Sequence, residues 1–248
     1  MVSRSGSSLQ PNAGSFAATR WTLVLTAARR RDASSQAAEA MAELCRLYWY
    51  PLYAYIRRRG QSMHDAEDLT QGFFTRLLAK DSLAQVDPCH GKFRAFLLAS
   101  LKHFLANEWD RSQTQKRGGG QTVVSLDAAQ AESRYNLEPA HHLTPEKLFE
   151  RQWALTILER VLARLQAEYA RTDGHAILFD GLKQFLTSER PSAYADVARE
   201  LQTTEGAIKV AVHRLRRRYR QLLMEEIGQT VANPDEIKDE IQYLLSCL

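Results

Sequence analysis

Residues 194–223, YADVARELQTTEGAIKVAVHRLRRRYRQLL, read as two helices around a tight turn. Tyr194, Val197, Ala198 and Leu201 recur at i, i+3, i+4 and i+7, one face of a short helix. Gln202-Thr203-Thr204 then interrupts it. Either threonine can cap the second helix, because its hydroxyl can accept from a free backbone N–H of the first turn. In that second helix, Ile208, Val212, Leu215, Tyr219 and Leu222 form an apolar stripe, with Gly206, Lys209, Val210, His213, Arg217 and Arg220 largely on the other side. A short helix, a three-residue turn and a longer helix with a basic outer face are the parts of a helix-turn-helix, whose second helix enters a DNA major groove. Arginines in its later turns meet phosphates and add salt-dependent affinity rather than sequence choice. Gln202 stands where many such turns place glycine, so the turn needs a non-glycine residue to adopt the left-handed conformation at some strain. The competing reading is an amphipathic hairpin with a solvated basic face.

The rest of the 248 residues supports an all-α expectation: hydrophobic content is 44%, helix formers dominate, and glycine and proline are sparse outside a few places. Net charge is +4, unevenly spread. Arg214–Arg220 is strongly basic, whereas Glu225 to Leu248 is acidic, which suits a polyanion on one side and a different partner on the other. The three cysteines, Cys45, Cys89 and Cys247, are far apart and form no CxxC. Reduced thiols in a cytoplasm fit best, with no zinc ribbon or disulfide framework. The chain lacks an apolar run of membrane-spanning length, so no membrane partner is expected. Cys89-His90 and His141-His142 are the only candidate metal pairs, and adjacent loop residues rarely ligate one ion without others in place. No nucleophile–base set is legible; no cofactor, metal or catalytic residue is assigned, and an enzyme is not expected.

In chain order, residues 1–18 read as a mobile tail. Residues 19–112 read as a first helical domain. Ser34 to about Arg59 is a long helical stretch in which Pro51 predicts a kink or break. Arg57-Arg58-Arg59-Gly60 supplies cations in the last turn and then an αL cap. Ser62 and Asp65 stand at capping-box spacing. In the helix they open, Ala66, Leu69, Phe73 or Phe74, Leu77 and Leu78 face inward, leaving Glu67, Asp68, Gln71 and Thr75 outside. Residues 81–92 read as a loop. From Phe93 another helix buries Phe93, Phe96, Leu97, Leu101, Phe104 and Leu105, with Lys92, Arg94, Lys102, His103 and Asn107 at its ends or other faces. Residues 113–144, with Lys116-Arg117 and three glycines, read as a flexible linker. Thr144-Pro145 opens a second helical domain over 145–224. Residues 225–248 are an acidic extension, with Ile237, Ile241, Leu244 and Leu245 on one helical face.

DAEDLTQGFFTRLL (65–78), GKFRAFLLASLKHFL (91–105), a linker and the helix-turn-helix together resemble the extracytoplasmic-function (ECF) class of bacterial RNA polymerase sigma factors, in the order and spacing of their regions 2 and 4. The resemblance covers about Thr19 to Leu223, and the acidic tail looks like a subgroup extension. It implies a two-domain all-α fold that binds RNA polymerase core and directs promoter recognition. Asp65, Glu67, Asp68, Gln71 and Phe74 would dock on the clamp of the largest subunit, with the second-largest subunit also a partner. Lys92, Arg94, Phe96, Lys102, His103 and Asn107 would lie along the opened −10 strand. The family often has tryptophan at the position of Phe96 and asparagine at that of His103. Thr204, Glu205, Lys209, Val210, His213, Arg214 and Arg217 would meet −35 DNA. An anti-sigma factor or other regulator would be a further partner. A helix-turn-helix regulator that is not a sigma subunit is the alternative. The acidic extension is read three ways: as a shield over Arg214–Arg220, as a structural cap, or as a docking site.

Overall fold

The computed structural model describes residues 35–79, 92–114, 126–137, 143–171, 175–188, 192–231 and 233–248. These residues are helical and connecting, without strand. The first is α1 (Ser35–Arg58), followed by α2 (Met63–Ala79) and α3 (Phe93–Thr114). Helix α1 continues through Pro51 rather than breaking there. Its flanks explain this: Tyr48, Leu52, Tyr53, Tyr55 and Ile56 are all buried, and each such side chain contributes about 1.5–3 kcal/mol, against a proline cost of about 3 kcal/mol. The helix ends as expected at Gly60, φ +90°, whose N–H donates to the Arg57 carbonyl at 3.0 Å. Ser62 then caps α2, its Oγ accepting from the Asp65 N–H at 3.1 Å and donating to the Asp65 carboxylate at 2.6 Å.

Part of the expected linker is ordered as α4 (Leu126–Asn136). Glu132 fixes it to α1: Arg57 donates to both carboxylate oxygens, at 2.9 and 2.7 Å, and the Tyr53 hydroxyl donates at 2.6 Å. The Arg57 bonds hold the Glu132 carboxyl below its ordinary range. Arg134 stacks over Tyr50, 4.3 Å from the ring centre.

The C-terminal half begins at α5 (Pro145–Ala170), with Pro145 at its first position and the Thr144 hydroxyl accepting from the Lys147 N–H. Next come α6 (His175–Leu182), α7 (Gln184–Thr187), α8 (Tyr194–Glu200) and α9 (Glu205–Gly228). Helix α9 runs past the expected boundary at residue 224. A 3₁₀ turn (Pro234–Glu236) leads into α10 (Ile237–Ser246). Ile237 lies so close to Gly228 that a Cβ there would come within 3.3 Å of it.

The two halves share one contiguous apolar core. Helix α5 packs along α1 more extensively than any other pair of elements, with Tyr48, Phe149, Trp153 and Ile157 all fully enclosed. At about 1.5–3 kcal/mol per such side chain, this seam dominates the packing between halves. By contrast, α10 contributes Leu244 as its one fully buried apolar side chain.

Candidate nucleic-acid interface

The helix-turn-helix is built as its residues dictate. Helix α8 ends in a Schellman motif: Gln202 lies at φ +52°, its N–H donating to Arg199 O, while the Thr203 N–H reaches Ala198 O at 2.9 Å. Thr204 is the cap of α9, its Oγ1 accepting from the Ala207 N–H at 3.2 Å. Ile208, Val212, Leu215 and Leu222 are buried, and Tyr219 is partly so. Burial pushes the Tyr219 phenol up to about 12. On the outer face Thr204, Glu205, Lys209, Val210, His213, Arg214 and Arg217 are all exposed. Val210 is among the exposed large apolar residues. Glu205 and Lys209 pair at 2.7 Å, one turn apart, and this bond raises the Lys209 pKa.

The basic run divides by role in a way its composition hides. Arg216 donates to the Phe185 carbonyl at 3.1 Å, and Arg218 forks onto Glu168 at 2.7 and 2.5 Å. These two hold α9 to its scaffold. Arg214, Arg217 and Arg220 face outward.

Along α3 the arrangement is different. Arg94, expected beside a strand, is buried: its Nε donates to Glu240 of α10 at 2.6 Å and its Nη2 at 3.3 Å. Lys92 pairs with the same carboxylate at 2.6 Å. Burial opposes the Arg94 charge, but Glu240 and Tyr243 outweigh it and raise the pKa. Lys102 pairs with Glu146 of α5 at 2.8 Å; the bond raises the lysine and holds the Glu146 carboxyl down. Phe96 is half-buried against Phe93, and His103 and Asn107 are exposed. These two line a shallow pocket with Phe73, Arg76 and Phe104. Residues 81–91 of the loop read from the sequence lie outside the described residues.

On α2, Asp65, Asp68 and Gln71 are exposed, and both aspartates line a groove with Arg59, Leu69 and Trp109. Two expectations for this helix are corrected. Glu67 is fully buried, its Oε1 accepting from Gln71 Nε2 at 3.1 Å, and Phe74 packs in the core against Phe73. Neither side chain is presented to a partner in this arrangement.

Of the three readings of the acidic extension, the shield does not hold in this arrangement: Arg214, Arg217 and Arg220 stay exposed. Glu240 takes Lys92 and Arg94, while Glu226, fully buried, takes Arg160 at 2.8 Å and Arg164 at 3.1 Å. Sequence reasoning missed these carboxylates as structural residues, although Glu240 shares the stripe of Ile237, Ile241 and Leu244 at i+3/i+4 spacing, a signal of burial.

Among the described residues, no cluster of three or more His, Cys, Asp or Glu side chains is placed to hold a metal, and no helix is long and apolar enough to cross a membrane. Cys89-His90 and His141-His142 lie outside the described residues. Comparisons with protein-family models, curated proteins and solved structures return no match.

Proposed function

We propose that this chain is a sigma factor of the ECF class, which binds RNA polymerase core and directs it to promoters without itself being a catalyst. The observation that carries the reading is the outer face of α9: Lys209, Val210, His213, Arg214 and Arg217 stand exposed on a helix whose opposite face is locked into the core. In chain order that face comes after the two α2 and α3 motifs that resemble region 2. In this reading α9 enters the −35 major groove. Lys209 and His213 meet base edges, each good bidentate contact discriminating by roughly 1–3 kcal/mol, and Arg214 and Arg217 meet phosphates. Asp65, Asp68 and Gln71 contact the polymerase clamp. Lys92 and the α3 residues Phe96, Lys102, His103 and Asn107 serve the opened −10 strand, where stacking returns about 1–3 kcal/mol per base, whereas Arg94 is enclosed by Glu240 in this arrangement. Tethering to polymerase lets weak contacts act together through effective concentration.

The test is transcription from a promoter library by core polymerase supplemented with the chain. The expected result is initiation at a shared sequence, lost in Lys209→Ala/Arg214→Ala. Initiation indistinguishable from core alone would refute the reading. The second reading, a helix-turn-helix regulator that does not act as a polymerase subunit, draws support from the burial of Glu67 and Phe74, which leaves a smaller polymerase-facing set.

A further inference from the structure

We propose that α10 is a detachable strand mimic, which occupies the α3 cations in place of single-stranded nucleic acid and is displaced when a strand binds. The inference rests on the sigma reading for the role of α3, but its geometry stands alone. Within one turn, α10 presents an oxyanion and an aromatic face, the two chemical features of a nucleotide. The Glu240 carboxylate bridges Arg94 Nε and Lys92 Nζ, each at 2.6 Å. Tyr243 offers its ring to the same pair, 3.9 Å from the Arg94 guanidinium and 5.8 Å from the Lys92 ammonium. A phosphate and a stacked base would satisfy both cations by the same interactions.

Burial makes the contact exclusive. Glu240 is 1% exposed and Arg94 8%, so a strand cannot reach Arg94 while α10 is seated. The anchoring makes it reversible. The α1–α5 seam is an aromatic core that added anion cannot compete with. Helix α10 depends on Leu244, partly buried flanking side chains and an ionic contact. A buried ion pair gives little net stability over an apolar replacement, but unlike one it can be exchanged for another anion. Detachment of α10, with the seam intact, removes the Glu240 and Tyr243 contacts of Lys92 and Arg94 and opens both to a strand, while Arg94 keeps Glu150 of α5 at 3.7 Å and the Trp153 ring at 5.2 Å.

The test uses the full chain, a fluorescein-labelled single-stranded oligonucleotide of about 20 nucleotides, and hydrogen exchange of the α10 amides. Glu240→Gln removes the charge with little change of shape. Leu244→Ala loosens the anchor without altering net charge, and keeps the test decisive if the first variant folds poorly. Glu159→Gln, which removes an exposed carboxylate paired with Arg134, controls for overall charge. Faster α10 exchange and about fivefold tighter oligonucleotide binding are expected in the first two variants, with the control within about twofold of wild type. The proposal is overturned if α10 exchange rises with affinity unchanged, if neither quantity moves, or if Glu159→Gln tightens binding equally. No polymerase is present in this assay. A chain that shows the gain yet ignores core polymerase loses the sigma reading and keeps the strand mimic; one that binds core but shows no gain does the reverse.

Discussion

Lys92 and the α3 residues Arg94 and Lys102 are held against carboxylates of α10 and α5, whereas α9 turns Arg214 and Arg217 to solvent and spends only Arg216 and Arg218 on its scaffold. Both helices carry cations that the proposed function assigns to DNA. A bare cationic face attracts a duplex by long-range steering. A paired one must first lose its internal anion, so its binding is conditional. The same residue type thus serves as an open surface on one helix and as an occupied one on the other, and only the position of distant carboxylates separates the two.

The largest effect concerns the core beneath both regions. Trp153→Ala is expected to cost about 3–5 kcal/mol and to shift one shared thermal transition, because both halves pack on that residue. Two separated transitions, only one of them shifted, would break the comparison by making the halves independent. Next, Thr204→Ala is expected to cost about 1 kcal/mol by removing the α9 cap, and denaturant titration checks it. The open face itself is probed by salt. Arg214→Ala and Arg217→Ala should each lower the slope of log affinity for duplex against log salt by about one. Lys102→Ala, already neutralised by Glu146, should leave it nearly unchanged, and equal slopes for all three would erase the distinction. The smallest effect is acid sensitivity at α4. Arg57 depresses the Glu132 carboxyl below its ordinary value of 4.5, so this pair stabilises the fold above about pH 4.5. That contribution is lost as pH falls through the depressed value. Glu132→Gln should flatten that part of the pH–stability curve.

Much of the helix-turn-helix was legible because its signals are local. The apolar stripe, the Thr204 cap and the strained Gln202 turn all act within a few residues, as do the Gly60, Ser62 and Pro145 boundaries. The failures share a different cause. Glu67, Arg94 and Glu240 are charges lying on apolar stripes. Charge suggests an outer face, and only tertiary partners show otherwise; Arg94 meets Glu240 across 146 positions. Helix α4 was hidden because LDAAQAESRYN has little apolar periodicity, and its docking relies on the Glu132 ion pair and the small buried Ala131. Continuity through Pro51 likewise depends on burial that local rules do not weigh.

The most direct measurement is the affinity of the full chain for RNA polymerase core, wild type against Asp68→Arg/Gln71→Ala, two exposed positions on α2. Tight binding by wild type, lost in a variant with unchanged circular dichroism, is the expected result. A folded wild-type chain that does not bind core, even when α10 is released by Glu240→Gln, would contradict the assignment as a polymerase subunit.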